Sequence, residues 1–374
     1  MGEIKRQWVA TTTLTDNLLL ASFIPLLDAY PDMELVFVTD RVGQPLDRLV
    51  YVVPSPAMNK WLGRLGSRWL LLWKTICKKR VERVVCFLAV PHLLFVSLPA
   101  WIARKPIDLH MFAGRYDLDF ADNPSISDNR YVRRMKHPVF LQNVFRWLSH
   151  HQVDRFFCPG IRTHTFLEEL GLPKDRITNL HSSINVHKYH PGDVPRDIDV
   201  LIVARIATIK RPLMTLEILE KALAQKPGLK FAWLGRGEME NEVKAAAAAS
   251  PLKSALTFVG HIEEVWPYYQ RAKTVLLNSS SEGLSTAIME GMASGCVPIS
   301  SDVGDMAEVV RTGETGILVT NFNEVEPFVD GLVKLLSDDT DRERLSRRCR
   351  ELIVNEHSFE AIVKVWQDKD EFKG

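Results

Sequence analysis

The sequence predicts an α/β protein built from two doubly wound, Rossmann-like domains facing across a cleft. Three observations lead there. Short apolar runs alternate with helical patterns along all 374 residues, which is what crossover units on a parallel sheet require. A polar, proline-rich break, NVHKYHPGDVPRD at 185–197, interrupts the alternation near mid-chain, as an interdomain linker does. Charge divides there too. Residues 1–190 hold 25 Lys and Arg against 17 Asp and Glu, and the remainder holds 22 against 29. The expected domains are therefore 1–190 and 191–357.

In the first half, strands are expected at Trp8–Thr12, Glu34–Thr39, Leu49–Val53, Val84–Leu88, Ile107–Phe112 and Arg155–Cys158. Helices are expected at Leu18–Ala29, Met58–Arg80, 92–104, Val139–Leu148 and Thr163–Gly171, the last closed by its glycine. The second half repeats the alternation more cleanly. Strands fall at 199–204, 229–234, 256–260, 274–278, 297–300 and 316–319, with helices at 212–225, 238–249 and Leu284–Ala293.

Composition narrows the class. An apolar fraction of 46% with 25% charged residues is that of a globular protein. The five cysteines are odd in number and lack Cys-x-x-Cys spacing, so free thiols in a reducing compartment are expected. Met1 is followed by no apolar signal core. The most apolar window, Leu88–Ala103, is interrupted by Pro91, His92 and Pro99 and falls short of the roughly 20 residues that cross a bilayer. The expected location is cytoplasmic, peripheral to the inner face of the membrane if the basic helix below binds it.

Chemistry concentrates at the C-terminal ends of the second-half strands, where open α/β sheets bind ligands. The stretch NSSSEGLSTAIMEGMASGCVPISSDVG, 278–304, carries Glu282 in a polar loop and Glu290 in the second turn of a helix whose start lies near Ser285. Free amides and the helix dipole at that start favour an anion. Glu290 could accept two hydrogen bonds from a vicinal diol, although a lone glutamate is more often a solvated charge. Strand 199–204 runs into ARIATIKR, where Arg205 and Lys210 could clamp a diphosphate. LGRGEME places Gly235, Arg236 and Gly237 in a strand-to-helix turn, and TFVGHIEEV places His261 and Ile262 at another strand end, where backbone could pair with a nucleobase edge.

VARIATIKRP, WLGRGEME, FVGHIEEV, the 278–304 stretch continuing into DMAEVV, and GETGILV occur in this order over about 120 residues. Together they resemble the donor domain of glycosyltransferase family 4, retaining group 1 enzymes of GT-B fold. The resemblance implies a donor-binding second domain and an acceptor-binding first domain, on which helix 358–374 packs back. It also implies that Glu282 meets the donor sugar and Glu290 the ribose, that Arg205 and Lys210 bind the pyrophosphate, and that Gly283, Leu284 and Ser285 supply amides to the sugar and distal phosphate. The co-substrate is a nucleotide-diphosphate sugar, UDP before GDP, and the acceptor a glycan or lipid-linked sugar. No cofactor or metal is implied, because fixed cations and amides can stabilise the leaving diphosphate. A GT-B-fold sugar-nucleotide epimerase and a non-catalytic nucleotide-sugar-binding protein remain alternatives.

The first half departs from the family. TTTLTDNLL, 11–19, lacks the usual glycine-rich loop. His110 in IDLHMFAGRYD is the nearest counterpart of a histidine that reaches the donor sugar, with Arg115 and Asp117 competing for that place. The Asp-Leu-Asp at 117–119 has a metal-like spacing but lies far from the donor motifs. Helix 58–80 carries Lys and Arg without an acid and interleaves Trp61, Trp69 and Trp73. That suits an anionic membrane surface, or a core helix turning its Trp and Leu inward. No nucleic-acid recognition module accompanies the basic half.

Overall fold

A computed structural model describes residues 4–12, 16–122 and 130–371. The chain divides into two compact units, Met1–Ser183 with Ile362–Gly374, and Ile184–Ala361.

In the first unit the chain runs β1 (Arg6–Thr11), α1 (Asp16–Ala29), β2 (Met33–Val38), β3 (Leu49–Val52), α2 (Pro56–Ile76), β4 (Val81–Phe87), α3 (His92–Ala103) and β5 (Ile107–His110). It continues through α4 (Arg130–Arg133), α5 (Pro138–Gln152), β6 (Arg155–Cys158), α6 (Ile161–Glu169) and β7 (Ile177–Asn179). The strands form one seven-stranded sheet, ordered β3-β2-β1-β4-β5-β6-β7. Every pairing is parallel. Apolar side chains fill both faces, as a sheet covered by helices on each side demands. On one face Leu72 and Ile76 of α2, Leu93, Val96 and Ala100 of α3, and Phe145 of α5 cover Val9, Val84 and Leu109. On the other, Phe23, Leu26 and Leu27 of α1 pack with Phe37, Phe87 and Phe157.

The second unit runs β8 (Ile198–Val203), α7 (Pro212–Gln225), β9 (Phe231–Leu234), α8 (Glu240–Ala248), β10 (Leu256–Gly260), α9 (Trp266–Arg271), β11 (Ala272–Leu277) and α10 (Thr286–Ala293). It ends with β12 (Val297–Ser301), β13 (Ile317–Val319), α11 (Glu326–Ser337), α12 (Asp339–His357) and the start of α13 (Phe359–Glu371). Its six-stranded sheet is ordered β10-β9-β8-β11-β12-β13, again parallel throughout.

Several local features differ from the sequence-based expectation, α4, α11 and α12 among them, which it did not include. Helix 58–80 ends at Ile76 and is broken at Gly63, whose φ of 67° lies outside helical space. Strand β7 was not anticipated, because three residues, ITN, carry no readable alternation. The 185–197 break is packed, not loose. Val186 and Tyr189 are buried in the second unit, and the Arg350 guanidinium donates to the carbonyls of Tyr189 at 2.7 Å, Val186 at 3.0 Å and Ala293 at 2.9 Å. Within the first unit, Ile362 and Trp366 of α13 join the cluster around Phe23 and Phe157, and the Tyr30 hydroxyl donates to the Trp366 carbonyl at 3.3 Å.

Candidate functional site

In the second sheet the strand order reverses between β8 and β11, the topological position at whose C-terminal strand ends open α/β sheets present a ligand crevice. The loop after β8 holds Arg205 and Lys210. The loop after β11 holds Glu282. Hydrogen bonds stitch the two together. Ser280 donates its backbone N–H to the Ile209 carbonyl at 2.9 Å and its hydroxyl to the same oxygen at 3.1 Å. Asn278 accepts from the Thr215 hydroxyl at 2.8 Å. Across this seam the Lys210 ammonium is hydrogen-bonded to Glu282 Oε1, with both side chains little exposed at 13% and 12%. A charge-assisted bond in so shielded a place is stronger than a surface pair. It holds a cation and a carboxylate side by side. Arg205, earlier on the same loop as Lys210, is exposed. Arg211 has a different task, tying the loop to the Phe322 carbonyl at 2.7 Å and to Asn323 Oδ1 at 2.8 Å.

Two glycines bring a third loop onto this shelf. At Gly235, φ is 137° and a Cβ would lie 2.1 Å from the Ala204 carbonyl oxygen; at Gly237 a Cβ would lie 2.2 Å from that of Ile206. With no Cβ there, Ile206 N–H donates to the Arg236 carbonyl at 3.1 Å and Met239 N–H to the Ile206 carbonyl at 3.1 Å. Gly235 N–H donates to the Gly260 carbonyl at 2.8 Å, which adds the loop carrying exposed His261 and half-buried Ile262. The exposed Arg236 side chain lies over Gly260.

The segment Gly283–Ser285 is buried. Its fit depends on Gly304, where φ is 54° and a Cβ would meet the Glu282 carbonyl oxygen at 2.1 Å and that of Gly283 at 2.5 Å. Asp305 N–H donates to the Gly283 carbonyl at 2.8 Å. Leu284 turns its side chain into the core, so only its backbone can meet a ligand. Ser285 is the N-cap of α10 without a side-chain capping bond. Nothing in the sequence pointed to Gly304 beyond a glycine in a turn.

Glu290 has company that the sequence did not reveal. The Tyr269 hydroxyl lies 3.1 Å from Glu290 Oε2 and 2.9 Å from the Ala287 carbonyl oxygen, and Tyr189 also bonds the carboxylate. Burial pushes the Glu290 pKa up to about 7, against the tyrosine hydrogen bonds and the Lys188 charge, which lower it. The folded chain therefore keeps a proton that the unfolded chain, at the ordinary value of 4.5, has released. Stability from this group is complete below the unfolded value and is lost as pH rises through the folded one. Glu290→Gln is expected to stabilise the protein at pH 8, on the order of 2 kcal/mol, and much less at pH 5. Thermal unfolding at both pH values checks this, and equal shifts would contradict it.

The first unit treats its candidates differently. His110 ends β5 and is buried between Phe87 and Phe157, with ring centroids 4.5 Å away on both sides, and Trp366 at 5.7 Å. Burial pushes its pKa down to about 3. It is a neutral imidazole in an aromatic stack lining a small cavity of about 40 Å³. The histidine signal in the sequence could not separate this place from an exposed strand end. Arg115 is exposed and pairs with Asp119 at 2.6 Å. Asp117 is buried, accepts the Ala113 N–H at 3.0 Å, and has its pKa raised by burial to about 7. Asp119 also pairs with Arg146 at 3.0 Å. The two carboxylates of 117–119 thus serve separate partners, and no cluster suited to a metal ion occurs among the described residues. Residues 13–15 of TTTLTDNLL lie outside the described residues.

Comparison with known proteins bears on the shelf as a whole. Residues 190–352, which contain all four loops, match the family model of glycosyl transferases group 1. The lipopolysaccharide core biosynthesis glycosyltransferase LpsE of Rhizobium meliloti is 27% identical over 146 residues, 39% of this chain and 43% of that protein. The Escherichia coli UDP-Gal:alpha-D-GlcNAc-diphosphoundecaprenol alpha-1,3-galactosyltransferase is 26% identical over 242 residues, 60% of this chain and 59% of that protein. The match thus spans less than two thirds of either relative. Among solved structures, Anabaena Alr3699/HepE in complex with UDP-glucose superposes with a TM-score of 0.76 at 15% identity, covering 98% of this chain and 99% of that one. The lipopolysaccharide outer core galactosyltransferase WaaB, apo form, reaches 0.70 at 14% identity, covering 99% and 100%. These likenesses show the fold, which is GT-B.

Proposed function

We propose that this chain, whose residues 190–352 belong to the group 1 glycosyl transferases, transfers a sugar from a nucleotide-diphosphate sugar to a glycan or lipid-linked acceptor. The observation that carries the reading is the Lys210–Glu282 pair at the switch point of the second sheet, with exposed Arg205 on the same loop as Lys210 and α10 starting just after the loop that carries Glu282. A departing nucleoside diphosphate develops negative charge. Fixed cations and helix-terminal amides oppose that charge without reorganising. In this reading Arg205 and Lys210 hold the diphosphate, Glu282 accepts hydrogen bonds from the sugar, Glu290 faces the ribose, and the backbone at His261 and Ile262 meets the base. UDP is the first donor to try, given the UDP-glucose complex of the Anabaena protein and the galactosyltransferase among the relatives.

We infer retention of anomeric configuration by front-face displacement. The bond from the anomeric carbon to the diphosphate oxygen breaks as the acceptor oxygen bonds the same carbon, and the acceptor proton passes to the departing phosphate oxygen. The binding roles of the shelf and this proton transfer need neither a cofactor nor a carboxylate nucleophile.

A thermal-shift panel of UDP-, GDP- and ADP-sugars, followed by assay of diphosphate release with candidate acceptors, tests the reading. Stabilisation by one donor with acceptor-dependent nucleotide release is expected. Interconversion of two nucleotide sugars without net release would mark an epimerase, and binding without turnover a non-catalytic protein.

Gly304→Ala probes the loop seat. Moving the Glu282 and Gly283 carbonyls aside, and straining a positive φ, is expected to weaken donor binding by about tenfold or more and to cost roughly 1–3 kcal/mol of stability. Calorimetric titration of the donor and thermal unfolding read the two effects separately.

A further inference from the structure

Helices α2, α3 and α5 form one layer on the first sheet, with α3 packed against both neighbours. Their inner faces supply the core. Their outer faces are unusual, because each also presents large apolar residues to solvent. On α3, Leu94, Leu98, Trp101 and Ile102 are exposed, and the i, i+4, i+7, i+8 spacing makes them one stripe. On α2, Trp61 is 87% exposed and Leu62 and Leu65 accompany it; on α5, Phe140 is 66% exposed, with Val139 and Trp147. Isolated exposed apolar residues need no explanation, but stripes on three adjacent helices do.

Charge says what covers them. Residues 56–76, 92–103 and 138–152 contain no Asp or Glu. Exposed Lys60, Arg64, Lys74, Arg104 and Lys136 lie on these helices or beside their ends. Helix α2 divides its labour at the Gly63 break. Beyond it, Arg68 turns inward to Asp40 and His92, 3.5 Å from each, and Trp69 packs on Trp73 with ring centroids 5.4 Å apart. The segment before it leaves Trp61 and Lys60 outside. Aromatic and aliphatic side chains among cations, with no acid to repel lipid phosphates, complement an anionic bilayer surface.

We propose that the outer face of α2, α3 and α5 docks the first unit onto an anionic lipid membrane. Trp61, Trp101 and Phe140 enter the interface, while Lys60, Arg64 and Arg104 meet the headgroups. This does not depend on the glycosyltransferase reading. No helix among the described residues is long and apolar enough to cross a membrane.

The test is flotation of the full chain with phosphatidylcholine vesicles, with and without about one third phosphatidylglycerol, at low and high salt. Recovery with anionic vesicles at low salt is expected, falling by about tenfold or more in salt, in the double variant Trp101→Ser with Phe140→Ser, and in Lys60→Glu with Arg64→Glu. Leu213→Ser, an exposed leucine of the second unit, should float as the parent does. All positions changed are exposed, and unchanged thermal unfolding and nucleotide affinity will show that the variants are folded. Absence of flotation, equal flotation with neutral vesicles, or flotation indifferent to both double variants would overturn the proposal. So would concentration-dependent dimerisation that Trp101→Ser with Phe140→Ser abolishes in a chain that never floats, since the face would then serve a second copy.

Discussion

Lys210→Ala is expected to lower kcat by roughly 10²–10³-fold, the cost of removing one preorganised group aimed at developing negative charge. The chain should still fold, because Lys210 and Glu282 sit on the crevice shelf and the buried second-unit cores are made of other residues. Glu282→Ala is expected to be comparably severe. The two side chains are bonded to each other, so the double variant should be little worse than the poorer single one, as for groups that act as a unit. Steady-state kinetics on all four proteins close the cycle. Additive losses would mean that the pair does not act together, and near-parental kcat in Lys210→Ala would remove the proposed leaving-group role.

Asp108→Asn should produce the largest loss of stability. Asp108 stands on β5 with its carboxylate fully buried, accepting from Arg83 Nη1 at 2.6 Å, Arg155 Nε at 2.9 Å and Arg155 Nη2 at 2.6 Å. The arginine side chains are themselves only 15% and 14% exposed. Taking the charge from the centre strands two guanidinium groups in a poorly solvated place, at a cost of about 3–5 kcal/mol. Urea unfolding measures it. Replacing all three with Asp108→Leu, Arg83→Met and Arg155→Met should recover much of the loss, because the expense lies in the unpaired charge. Donor affinity measured well below the transition should not change, since the triad belongs to the first unit and the shelf to the second.

The sequence by itself determined the two-part α/β architecture. Apolar alternation is a local property, and helix 212–225 and strand 256–260 lie where their residue patterns put them. It also named the loops that converge in the second unit, because Arg205, Lys210, Gly235 and Glu282 follow strand ends, and strand ends of a parallel sheet meet along one edge. Partnerships between distant residues were decided only by the tertiary structure. Tyr189 and Tyr269 flank Glu290, Gly304 seats the Glu282 loop, and Asp108 gathers Arg83 and Arg155. Each depends on long-range packing that no local pattern encodes. The same reason separates two residues that look alike in sequence. His110 and Lys210 both stand near a strand end, yet packing of Phe87, Phe157 and Trp366 around His110 makes it core. Lys210 instead stays at the crevice because the loop after β11 brings it Glu282.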